Sequence, residues 1–165
     1  MRNYAVLVAL LVASVAGANL ITDGDFEAPN SAAWTYVSAV WGTGYAASTE
    51  SGGVTGEGAE LTWGGAPNDL GSHAYLQTLI VPGAVNLLEV DWDWASVSGG
   101  AGANGWYEVL LMPGTGANWD APLPAEVIAK EEFGFVGPDT TNPAWHPGSA
   151  QVAVTPGGQY TIGIK

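Results

Sequence analysis

Turn-forming residues set the limits on what this chain can fold into. Its 165 residues include 24 Gly and 10 Pro, recurring at the roughly 8–12-residue spacing that separates short strands in an all-β sandwich. A helix of ordinary length does not fit between such breaks, because Gly and Pro both penalise helix interiors. Between the breaks, apolar residues alternate with the two-residue period of a half-buried strand. In the stretch Asn86–Val97, Leu88, Val90, Trp92 and Trp94 point one way, and Glu89, Asp91 and Asp93 the other. In Gly105–Met112, Tyr107, Val109 and Leu111 oppose Trp106, Glu108 and Leu110. In His73–Val81, Ala74, Leu76, Thr78 and Ile80 oppose His73, Tyr75, Gln77 and Leu79.

The same reading predicts further strands at Leu20–Phe26, Trp34–Val40, Glu57–Trp63, Glu126–Val136, Ser149–Thr155 and Gln159–Lys165. Pro82-Gly83 and Pro156-Gly157-Gly158 supply the fixed or positive φ that tight turns need. Residues 113–125 and 137–148 read as longer loops, carrying Trp119 and Trp145 respectively. The expected fold is a single antiparallel β-sandwich domain.

Charge and composition exclude several function classes. Three Lys and Arg face 16 Asp and Glu, for a net charge of -13. So few cations cannot displace the counterions of a nucleic acid, so no nucleic-acid partner is expected. Nor is attraction to an anionic membrane surface. With no Cys there is no disulfide framework, thiol nucleophile or Cys-ligated zinc.

The first eighteen residues read as an address. Arg2 precedes the apolar run Ala5–Val15, and Ala16-Gly17-Ala18 offers a small-x-small cleavage site. This is the layout of a secretory signal peptide cleaved after Ala18. The run of eleven residues is well short of the ~20 that span a bilayer. The mature chain would be residues 19–165, secreted or at the cell surface, with no membrane insertion. Loss of Arg2 takes its net charge from -13 to -14.

That mature chain opens Asn19-Leu20-Ile21-Thr22-Asp23-Gly24-Asp25-Phe26-Glu27, with Trp34 following. The motif resembles the first strand of galactose-binding-like jelly rolls, especially cellulose- and xylan-binding modules of the CenC-like kind, with Asp23 where Asn is usual. Gly58–Leu61, Ala74–Thr78 running through Pro82-Gly83 into Leu88–Trp92, and Tyr160–Ile164 look like their later strands. The resemblance implies a jelly roll that binds extracellular polysaccharide or glycan without catalysis. It also implies a closing strand with an Asp-Asp-Val-like motif, expected just where Lys165 stands. The expectation is that either the sequence is a fragment, truncated at its C-terminal end, or the sandwich lacks that strand and offers an open sheet edge for self-association. The opening motif also begins many bacterial exported proteins carrying C-terminal PEP-type sorting signals.

Sugar sites combine flat aromatic faces with a few convergent polar groups. If the apolar sets of the three central strands face the core, Tyr75, Gln77, Asp91, Asp93, Trp106 and Glu108 share the opposite face. The resemblance implies a carbohydrate groove there, with Tyr75 and Trp106 stacking and the others taking hydroxyls. A solvated outer face is the ordinary alternative. Trp34, Trp92 and Trp94 read as core. Trp41, Trp63, Trp119 and Trp145, near strand ends or in loops, would either contact a ligand or plug the sandwich.

The resemblance further implies a structural calcium ion, with Glu27 at the final acid of the motif and Asp25 second. Carboxylates and carbonyls suit that hard cation, but no EF-hand spacing occurs. Catalysis is not expected. Asp91 and Asp93 would lie roughly 6.5–7 Å apart along one strand face, but a general acid and base need environments that push their pKa values apart. The alternatives to sugar binding are a structural surface or biofilm-matrix protein without a sugar site, and an accessory domain of a glycan-active enzyme.

Overall fold

The computed structural model describes residues 19–22, 24, 33–41, 45–50, 59–64, 70–94, 105–133 and 146–165. Among the described residues, nine strands run in chain order: β1 (Thr35–Trp41), β2 (Tyr45–Glu50), β3 (Ala59–Gly64), β4 (Leu70–Ile80), β5 (Leu87–Trp94), β6 (Gly105–Pro113), β7 (Val127–Phe133), β8 (His146–Ala153) and β9 (Gln159–Ile164). Five form an antiparallel sheet in the order β1-β4-β9-β6-β7, and β2–β3 and β5–β8 pair as two-stranded ribbons. The 3-10 turn Pro124–Glu126 is the one helical element among the described residues. No helix there is long and apolar enough to cross a membrane. The expected all-β, antiparallel sandwich is what the chain forms.

The layers follow from the alternation. The β5–β8 ribbon lays Val90, with Leu88, Trp92 and Val152, onto Tyr75, Leu79, Val109, Leu111 and Ile162 of the five-stranded sheet, forming the main core. Trp34 is buried in that core and Trp92 packs against it, as the sequence predicts. Gly148 lies opposite Trp92 in the ribbon, and a Cβ there would overlap the indole ring. A side chain at 148 would thus displace Trp92 from its place against the core.

The other side of the sheet is covered as well. Ala74, Leu76, Leu110 and Met112 form a second buried cluster, with Val37, Trp119 and Val127 packed against it. Trp119 belongs to the β6–β7 loop, which folds back over this outer face. Thr161 Oγ1 donates to Gly114 O at 2.8 Å, anchoring the loop to β9. Gly116 has φ +68°, and a Cβ there would come within 2.8 Å of Thr161 Cγ2. Only glycine meets both demands without strain.

This double cover corrects one expectation. Ala74, Leu76, Thr78 and Ile80 do not form the main core face of β4. Residues 72–77 are all buried, because loop and ribbon sandwich the strand from both sides. Tyr75 and Leu79 face the main core. Ala74 and Leu76 face the second cluster, and Ile80 is 61% exposed.

Three boundaries also differ. Within the expected strand Leu20–Phe26, residues 20–22 and 24 are irregular; Asn19 Oδ1 accepts from Ile21 N at 3.1 Å, a local turn in place of a ladder bond. Strand β2 has no sequence counterpart because Tyr45-Ala46-Ala47-Ser48-Thr49-Glu50 lacks apolar alternation. Strand β8 begins at His146, inside the expected loop 137–148. Strand β9 lies inside the sheet, paired with β4 on one side and β6 on the other. The edges of this sheet are β1 and β7.

Candidate functional site

On the outer face, one row of side chains crosses three strands. Glu108 of β6 is opposite Lys130 of β7. On its other flank Glu108 and Lys165 exchange backbone hydrogen bonds at 2.7 and 2.9 Å, extending the β6–β9 ladder. Both lysines of the sequence therefore converge on one carboxylate. Lys165 Nζ is 2.9 Å from Glu108 Oε2, with side-chain exposures of 7% and 9%. That contact is an ion pair without hydrogen-bond alignment. Lys165 Nζ also donates to Asp120 O at 3.3 Å, tying the row to the covering loop. Lys130 Nζ, on a side chain 44% exposed, is 3.6 Å from Glu108 Oε1.

Trp106 lies two residues from Glu108 on the same side of β6. It is 38% exposed, and Lys130 Nζ sits 5.8 Å from its ring centroid, within cation–π range. Its partner across the ladder is Glu132. The patch thus offers an exposed aromatic ring and, beside it, an ammonium donor held near a buried, ion-paired carboxylate; a ring face with a polar group at its rim suits a hydroxylated ring.

The structure separates the six residues expected to share a face. Trp106 and Glu108 stay together. Tyr75 and Gln77 are buried on the opposite side of the five-stranded sheet, Tyr75 at 7% and Gln77 at 6% exposure. Gln77 is committed to the chain itself: Thr22 N donates to its Oε1 and its Nε2 donates to Thr22 O, both at 2.7 Å. Asp91 and Asp93 are exposed on β5, in the other layer. The expected shared face assumed that β4, β5 and β6 are neighbours. In fact β9 separates β4 from β6, and β5 pairs with β8. Glu108 is also not a free hydroxyl acceptor, since its carboxylate is buried and ion-paired.

Asp25 and Glu27 lie outside the described residues, as does Trp145. Trp119 plugs the second cluster; Trp41 and Trp63 belong to β1 and β3. Among the described residues no group of three or more His, Asp or Glu is placed to hold a metal ion.

Sequence reasoning missed both lysines of the row, because register across strands is invisible in one sequence. It also missed an aromatic stack. His146 stacks on Trp94 at 4.9 Å between centroids, and Tyr107 packs on Trp94 at 4.7 Å. Trp94 is thus partly buried as expected, but among rings.

One histidine carries a pH signature. His73 is buried beside Tyr36, whose hydroxyl is 3.4 Å from its Nδ1, and desolvation holds its pKa below the usual 6.5. The unfolded ring gains a proton near 6.5, while the folded ring resists it. Its contribution to stability is therefore full above about pH 6.5 and is lost as pH falls through the lowered folded value. The difference in melting temperature between wild type and His73→Gln should shrink from pH 7.5 to pH 5. A constant difference would show that the ring titrates alike in both states.

The fold and this patch define an all-β, antiparallel sandwich protein with an aromatic and ion-paired outer sheet face. No protein-family model, curated protein or solved structure matches the chain.

Proposed function

We propose that this protein is an exported, non-catalytic module that binds polysaccharide through the outer face around Trp106. The observation that carries this reading is an exposed tryptophan on a sheet face, flanked by Lys130 and by the Glu108–Lys165 pair. Trp106 stacks on a pyranose ring, and Lys130 swings from the indole to donate to a hydroxyl. Glu108 acts through Lys130, fixing where the ammonium sits. The signal-like residues 1–18 and the Asn19–Glu27 motif support export and the sugar-binding class. The net charge of -13 disfavours polyanionic ligands at long range, leaving neutral polymers as the substrate class.

Affinity electrophoresis in soluble xylan, cellulose derivatives, β-glucan and glycol chitin tests it. Wild type should be retarded by at least one polymer. Trp106→Ala should weaken retardation tenfold or more, about 1.4 kcal/mol, while leaving the unfolding midpoint nearly unchanged, as exposed positions do. Retardation by none, or equal retardation of the variant, removes the site. A calcium ion held by Glu27 and Asp25 is part of the same reading. EDTA should then lower the melting temperature, with recovery on adding Ca2+; an unchanged melting curve removes the ion.

A further inference from the structure

Both lysines of the sequence stand at the Trp106 patch, in a chain of 16 Asp and Glu against three Lys and Arg. They do not serve Glu108 equally. Lys165 Nζ is 2.9 Å from the Glu108 carboxylate, with both side chains buried, and this contact balances the Glu108 charge. Lys130 Nζ is 3.6 Å from it, on a side chain 44% exposed, and lies 5.8 Å from the Trp106 ring centroid. An exposed contact of that length is weak. Lys130 can therefore give it up without leaving a buried charge unpaired. With Glu132 opposite Trp106, two acids and two lysines make the row neutral, against -13 for the whole chain. An acidic group meets less repulsion here than the net charge alone would impose.

We infer, resting on the sugar-binding reading of Trp106, that the patch selects a uronic acid residue carried on an otherwise neutral polysaccharide, with Lys130 setting this specificity. A neutral sugar asks only for a hydrogen-bond donor, which an uncharged amide supplies as well. A cation beside an exposed aromatic ring, in a chain this poor in cations, fits a ligand of opposite charge. The carboxylate of a uronic acid leaves its pyranose ring at the rim. Stacking that ring on the indole puts the carboxylate beside the indole, within the sweep of the Lys130 side chain. Lys130 then trades its long contact with Glu108 for a charge-assisted hydrogen bond, and Glu108 keeps Lys165. Polymers with an acid on every residue stay excluded by the net charge. Scattered acids, farther apart than the ~8 Å Debye length at physiological salt, do not sum their repulsion.

The test compares glucuronoxylan with the same polymer after reduction of its carboxyls to hydroxymethyl groups, by calorimetric titration of the full chain. Wild type should bind the acidic polymer about fivefold more tightly than the reduced one, as a partly exposed ion pair supplies. Net charge works against this order, so the preference cannot come from the bulk field. Lys130→Gln should abolish the preference and Lys130→Arg should keep it. Both substitutions fall on an exposed side chain, so the fold is retained. Equal affinity of wild type for the two polymers, or tighter binding of the reduced one, overturns the inference. So does a preference that survives Lys130→Gln. In either case, weakened binding of both polymers by Trp106→Ala keeps the stacking role. Binding of neither polymer overturns the inference too, and the sugar-binding reading falls with it only if the neutral polymers above also fail to retard the chain.

Discussion

Glu108→Ala is expected to cost about 3–5 kcal/mol of stability, the range for breaking a buried ion pair by removing one partner. Glu108 and Lys165 are both more than nine-tenths buried at their side chains, so the variant leaves the Lys165 ammonium with Asp120 O as its acceptor among the described residues. A small domain has a total stability of about 5–15 kcal/mol, so the loss is a large share of the whole. Lys130→Ala should cost at most about 1 kcal/mol, because its exposed side chain pairs at 3.6 Å in screening solvent. The double variant Glu108→Leu with Lys165→Met should recover most of the loss, since apolar residues of similar size replace buried pairs well. Urea unfolding of the four proteins decides the matter. If Glu108→Ala and Lys130→Ala fall equally, the row is a surface network and Lys165 carries no buried charge.

Leu110→Ala should destabilise by about 2–5 kcal/mol, through lost transfer energy and a residual cavity. Leu110 is fully buried, but on the side of the sheet away from the β5–β8 ribbon. Its environment is Ala74, Leu76 and Met112, roofed in part by Trp119. A loss in this range would establish that the β6–β7 loop is a structural layer. A loss below about 1 kcal/mol would mean that the loop lifts readily from the sheet. The urea m-value adds a second readout. A loop already detached in the native variant exposes less new surface on unfolding and lowers m.

Much of the fold is legible in the sequence, and the reasons for success and failure are physical. β5 reads correctly because only one side of its ribbon meets the core: Val90 is buried while Glu89, Asp91 and Asp93 face water. β6 reads correctly along Tyr107, Val109 and Leu111 because its other face opens with Trp106 and Glu108, even though Leu110 and Met112 farther along that face are buried in the second cluster. β4 does not, because two layers cover it and polarity no longer reports orientation. Gln77 looks like an outward polar residue and is instead a buried amide with both its groups used. The site was half legible. Trp106 and Glu108 share a face through alternation alone, which local sequence encodes. That Lys130 and Lys165 join them depends on which strands pair and in what register. Alternation within a strand does not carry that information.

The placement of β9 has a consequence for the order in which the molecule can assemble. β1 and β4 form one antiparallel pair and β6 and β7 another, and β9 joins them by hydrogen bonds on both flanks. During synthesis from the N-terminus, neither half of the sheet can close on the other until residues 159–164 have emerged. The halves must wait as separate hairpin-like pairs, which are marginal in water alone. The late strand acts as a keystone, and its pairing with β4 spans much of the chain, a non-local contact of the kind that slows folding. A ribosome stalled before residue 159 should therefore hold a chain that any protease can cut.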